Sequence, residues 1–299
     1  MPATPSDLAE LRHRLDEIDD KVHDLLIERA KIISMVAASK RDGRLAAFQP
    51  AREAEIIRRL VGRHRGDFPV ATLVRMWREM LAATVRLQSP FAVAVFAPAE
   101  AQGFWDLARD HYGSSTRMSG YCSTGDVIRA VTEGQAAIGV LPLPQEGEAD
   151  PWWRQLVSKD EGVPRVVARL PFGARGNARS DADALAIGRG VQQETGADRT
   201  FLTTEMAADI SRGRIFRILS SLGLNCTFFA CSEHAGGALS LIEIDGFVPI
   251  ADPRLDSFRA QLGDALHWML PFGGYALPLP AAALADGTRV GWATTVPEI

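Results

Sequence analysis

Six polar side chains in the first ninety residues have the types and spacings to do chemistry together: Arg12, Arg29, Lys40, Arg52, Glu53 and Gln88. Thr84 lies one helical turn before Gln88 and joins them. The set holds several cations, one carboxylate, one hydroxyl and one neutral amide. It includes no Ser-His-Asp arrangement, no cysteine nucleophile and no metal-ligand cluster. Such groups bind a small dianion and stabilise a shift of charge electrostatically; they are not built for covalent or acid–base work.

Three helix-like stretches must position these residues. In LAELRHRLDEIDDKVHDLLIERAKIISMVAASK the apolar residues Leu8, Leu11, Leu15, Ile18, Val22, Leu25, Leu26, Ile32, Ile33 and Val36 step by three and four. That period predicts one long amphipathic helix with a core-facing stripe. Arg29 falls on the stripe, and Lys40 follows after nearly three full turns, on the same face. A cation on a buried face needs a partner, and an anionic ligand is one candidate. Arg29 and Lys40 lie about 16 Å apart along the helix, a gap that two long side chains can close around a small ligand. Arg12 lies about 25 Å from Arg29, so its expected route to such a ligand is from the antiparallel helix of a second chain, which predicts a homodimer with shared pockets. The second stretch, QPAREAEIIRRLVGRH, starts with Pro50 at the first helical position and acidic residues in its first turn. The third is VATLVRMWREMLAATVRLQ.

From about residue 6 to residue 88, these stretches resemble the all-helical class of chorismate mutase. The resemblance implies a three-helix, domain-swapped dimer that converts chorismate to prephenate without a cofactor or metal. It makes Arg12 the partner chain's contribution, gives Arg29 and Arg52 the substrate carboxylates, and lets Glu53 accept from the substrate hydroxyl. It assigns Lys40 and Gln88 to the ether oxygen and Thr84 to a carboxylate. Gln49 stands where some members carry aspartate and keeps a hydrogen-bonding role. The rearrangement builds negative charge on the ether oxygen as its C–O bond breaks, so donors fixed there favour the transition state. Arginine forks hold the carboxylates and select the folded conformer. The blander alternative is an amphipathic dimerisation or DNA-binding module. The basic run Arg58, Arg59, Arg63, His64 and Arg65 is read as a solvated helix end.

The chain has 299 residues, 46% hydrophobic and 23% charged, with a net charge of −4. These values suit a soluble, multidomain, cytoplasmic protein that binds neither nucleic acid nor membrane. The start MPATPSDLAELRHRL lacks the apolar core of a signal peptide. Cys122, Cys226 and Cys231 have no metal spacing and are expected as buried, reduced thiols.

After Ser89 and Pro90 the period changes. FAVAVFAP, the end of DVIRAVTEGQAAIGVLPLP, PRVVARLPFG and DALAIGRG read as strands, and EAQGFWDLARDHYG as a helix, giving an α/β region. This region resembles a reduced prephenate dehydratase domain with altered motifs. No serine stands in FAPAEAQGFW, Pro144-Gln145-Glu146 replaces a second motif, and Arg199-Thr200-Phe201 transposes a third. One of the adjacent Trp152 and Trp153 is expected in the core and the other at the surface. From Arg199 the order βαββαβ predicts a ferredoxin-like module, with Asp252 capping a helix that Gly263 ends. It resembles an ACT domain, which implies dimerisation and an amino-acid effector. Its Arg212–Ile215 and Cys231–His234 segments depart from the family's phenylalanine-site motifs.

The reading is therefore multidomain: a helical chorismate mutase domain (1–89), a truncated dehydratase-like α/β region (90–197), an ACT-like domain (198–280) and a poorly ordered tail (281–299). Its expected activity is the mutase reaction. A bifunctional mutase–dehydratase and a non-catalytic amino-acid-responsive regulator are the alternatives.

Overall fold

A computed structural model describes residues 5–39, 48–160, 162–179, 181–234 and 237–285. The three expected helices form: α1 over Pro5–Ser39, α2 over Pro50–Arg63 and α3 over Val70–Gln88. Pro50 opens α2, and Gln49 caps it through its carbonyl, which accepts from Glu53 N at 3.0 Å. The chain divides into two compact units, Met1–Phe48 with Thr84–Pro90, and Gln49–Ala83 with Phe91–Ile299. Helix α3 runs through both.

In the first unit the apolar stripe of α1 is periodic as expected but lies open to solvent. Leu15 is 59% exposed, Leu25 62% and Met35 71%.

The second unit is built on one nine-stranded sheet. Its strands are β1 (Ala92–Phe96), β2 (Arg117–Tyr121), β3 (Ile138–Pro142), β4 (Arg165–Leu170), β5 (Ala184–Gly188), β6 (Asp198–Met206), β7 (Cys226–His234), β8 (Gly237–Asp245) and β9 (Leu266–Ala276). They lie in the order β2-β1-β3-β5-β4-β9-β6-β8-β7. Helices α4 (Gly103–Tyr112) and α5 (Thr124–Thr132) connect β1, β2 and β3, which pair in parallel as crossover connections require. Strand β2 was not read from the sequence, because RMSGY is a short edge strand without a buried apolar face.

Helices α6 (Arg212–Ser221) and α7 (Pro253–Leu262) complete βαββαβ, and the order β9-β6-β8-β7 is ferredoxin-like. Asp252 caps α7 by accepting from Arg254 N at 2.9 Å, and Gly263 ends it at φ 56°. Strands β4 and β9 pair at Val166 and Gly273, which joins the two groups of strands into one sheet.

Several expectations are corrected. Trp152 and Trp153 are both buried, at 2% and 1% exposure, because a short 3₁₀ turn over Trp152–Leu156 folds both rings into the core with Phe201, Phe272 and Tyr275. The tail begins with helix α8 (Ala281–Leu284), where Ala283, with Leu279, is buried against α2 and α3. Residues 286–299 lie outside the described residues. Cys122 and Cys231 are exposed, not buried. Arg58 is not solvated: its guanidinium donates to Thr195 Oγ1 at 2.8 Å, Ala197 O at 2.8 Å and Leu277 O at 2.7 Å.

Candidate active site

Helix periodicity places the sequence-predicted residues, and the two units hold different parts of the set. In the first unit, Arg29 Nη1 donates to Thr84 Oγ1 at 2.8 Å. Partial burial lowers the Arg29 pKa from its ordinary value, as desolvation of a cation must. Gln88 Nε2 donates to the Thr84 carbonyl at 3.2 Å, so Arg29, Thr84 and Gln88 meet around one residue. Arg12 is exposed on α1. Lys40 lies outside the described residues.

In the second unit, Arg52 and Glu53 point apart, as adjacent helical residues do. Arg52 donates to Glu55 Oε2 at 2.9 Å at the surface. Glu53 is buried, and its Oε2 accepts from Arg78 Nη1 at 3.0 Å. Burial pushes the Glu53 carboxyl up to about 7, against the opposing pull of the Arg78 charge. Gln49 is half-buried at the head of α2.

Sequence reasoning missed Arg78, which sits three residues from Arg75 in a stretch that reads as an ordinary basic helix. Its signal is positional: Val74, Arg78, Leu81 and Val85 share the buried face of α3. Arg78 also stacks on Phe172, with the guanidinium carbon 4.7 Å from the ring centroid. Among the described residues no group of His, Cys, Asp and Glu side chains could hold a metal ion.

The altered dehydratase-like motifs are tied into structure. Thr200 Oγ1 donates to Gly246 O at 2.9 Å and accepts from Val248 N at 3.0 Å. Arg199 pairs with Asp245, and Glu146 pairs with Arg212, which also lies over the Phe216 and Phe229 rings.

Residues 11–89 match the family described as chorismate mutase type II. That match takes in most of α1 and all of α2 and α3. The bifunctional chorismate mutase/prephenate dehydratase of Stutzerimonas stutzeri is 27% identical over 146 residues, 47% of this chain and 40% of that protein. The protein of the same description from Aquifex aeolicus is 30% identical over 141 residues, 46% and 39% of the two chains. The chain thus spans about two fifths of the length of these curated relatives. The solved prephenate dehydratase of Streptococcus mutans superposes with a TM-score of 0.44 at 14% identity, covering 63% of this chain and 98% of that one. No helix among the described residues is long and apolar enough to cross a membrane.

Proposed function

We propose that this chain is a chorismate mutase that rearranges chorismate to prephenate by holding the folded substrate and stabilising charge on its ether oxygen. One observation carries the reading: the mutase match over residues 11–89 encloses Arg12, Arg29, Lys40, Gln49, Arg52, Glu53, Thr84 and Gln88. In this reading Arg29, steadied by Thr84, and Arg52 grip the carboxylates, while Glu53 takes the substrate hydroxyl. Lys40 and Gln88 donate to the ether oxygen, and Gln49 adds a hydrogen bond. Arg12 comes from a second copy of the chain, docked through the apolar stripe of α1. The ferredoxin-like strands act as an ACT-like module for an amino-acid effector, in a cytoplasmic enzyme of aromatic amino acid biosynthesis. The test is to follow loss of chorismate and appearance of prephenate with the purified chain; no acceleration over the spontaneous reaction would end the proposal.

A second reading, a working mutase–dehydratase, is favoured by the relatives, which are described as bifunctional. Against it stand the engaged Thr200 and the core filled by Trp152 and Trp153. Supplied prephenate should give no phenylpyruvate above the spontaneous rate; enzyme-dependent phenylpyruvate would establish the bifunctional reading instead.

A further inference from the structure

A cavity of about 220 Å³ opens beside Arg78 and lies wholly within the second unit. Val74, Leu107 and Phe172 give it apolar walls, and Arg78 and His111 are its buried polar groups. Arg78 is 5% exposed, and only its Nη1 has an acceptor, Glu53; among the described residues, Nε and Nη2 have none. His111 is 7% exposed, and its ring nitrogens have no hydrogen-bond partner among the described residues. Its ring meets the Tyr112 ring edge-on at 4.7 Å. The carboxylate on the lining, Asp110, is already paired with Arg75. Neither group is among the fully enclosed side-chain atoms without a partner, so both face the open space of the cavity, where a ligand can replace water. The cavity exceeds the roughly 150 Å³ that accommodates benzene. A guanidinium with unused donors selects an anion, and its planar fork matches a carboxylate. A single such cation among apolar walls suits one charge on an apolar body better than phosphate.

We propose that this cavity binds a small ring-bearing monocarboxylate, with the carboxylate on Arg78 and His111 and the ring against Val74, Leu107 and Phe172. Burial with Arg78 nearby holds His111 neutral, so its imidazole offers one donor without adding charge. The site lies outside the mutase substrate set, and its test reads binding, not turnover.

The experiment is calorimetric titration of the full chain with sodium benzoate, with neutral benzamide and with inorganic phosphate, at matched ionic strength. Benzoate should bind, with benzamide and phosphate each weaker by about ten-fold or more. Binding should disappear in Arg78→Met. Because that variant strips Glu53 of its partner and can fail to fold, Ala71→Phe serves as the second variant: it fills the cavity from its lining and keeps the Glu53–Arg78 pair. Loss of benzoate binding in folded Ala71→Phe supports the site. No benzoate heat at millimolar concentration would mean a water-filled cavity and overturn the proposal. So would benzamide binding as tightly as benzoate, phosphate binding as tightly, or unchanged binding in Ala71→Phe.

Discussion

The two units treat their awkward residues in opposite ways. In the second, buried charge is answered within the chain: Glu53 meets Arg78, Arg58 meets acceptors on Thr195, Ala197 and Leu277, and Asp106 meets Arg179 at 2.8 Å. In the first, α1 leaves Leu11, Leu15, Ile18, Val22 and Leu25 in solvent, each more than 40% exposed. An apolar stripe this long is rarely left open on a monomer. The proposed function assigns the open stripe of the first unit to a second copy of the chain, and the second unit needs no such partner for its buried charges. The active-site proposal inherits this contrast, because Arg12 is borne by the first unit.

The largest expected effect tests the proposed donors to the ether oxygen. Lys40→Ala and Gln88→Ala should each lower kcat by two or more orders of magnitude, comparable to losing an oxyanion donor at about 3 kcal/mol. Near-normal turnover in either would remove the ether-oxygen assignment. Next comes the second copy. Leu15→Asp with Leu25→Asp should convert a dimer to monomers in light scattering. Arg12→Ala and Arg29→Ala should each be inactive. Mixing them under subunit exchange should restore about half of wild-type activity per heterodimer, because one of its two pockets is then intact. No recovery, with exchange confirmed independently, would place both arginines in the same pocket of one chain.

Two smaller effects probe the second unit. Arg58→Met strands acceptors on three residues and should cost about 2–4 kcal/mol in a denaturant titration, whereas the exposed Arg59→Met should stay within about 0.5 kcal/mol. Equal effects would contradict the anchoring role of Arg58. The Glu53 carboxyl titrates at its ordinary 4.5 in the unfolded chain and at about 7 in the fold. Between those values the folded chain binds more protons, so stability falls as pH rises through the window. Glu53→Gln should abolish that fall, worth up to about 3 kcal/mol, and its unfolding free energy should track wild type's less steeply with pH. Parallel curves for the two proteins would show that Glu53 is ionised throughout.

Much of this was legible because it is periodic. Steps of three and four gave the three helices, and the Asp252-Pro253 to Gly263 punctuation gave α7. The βαββαβ order gave the ferredoxin-like strands. What stayed hidden depends on contacts far away in sequence. Arg58 finds Leu277, 219 residues on, and nothing local distinguishes it from Arg59. Arg78 looks solvated until α3 is seen to bury that face against Phe172. The tryptophan pair misled because adjacent residues diverge, and here the core encloses both directions. Within the candidate set, the Arg29–Thr84 contact follows from helix pairing, whereas the burial of Glu53 follows from packing on the sheet.

The seam between β4 and β9 carries a kinetic consequence. Gly273 sits there at φ 95°, where a Cβ would collide with the Val166 backbone. Across the same seam Arg169 hydrogen-bonds Tyr275 at 3.2 Å, 106 residues further along the chain. The strands on either side form mostly from near neighbours, but the seam must close a very long loop before it gains any contact. On loop closure alone it should be the last part of the sheet to assemble, leaving β4 and β9 each with an open edge until then. Refolding at high concentration should be most vulnerable to aggregation in that interval.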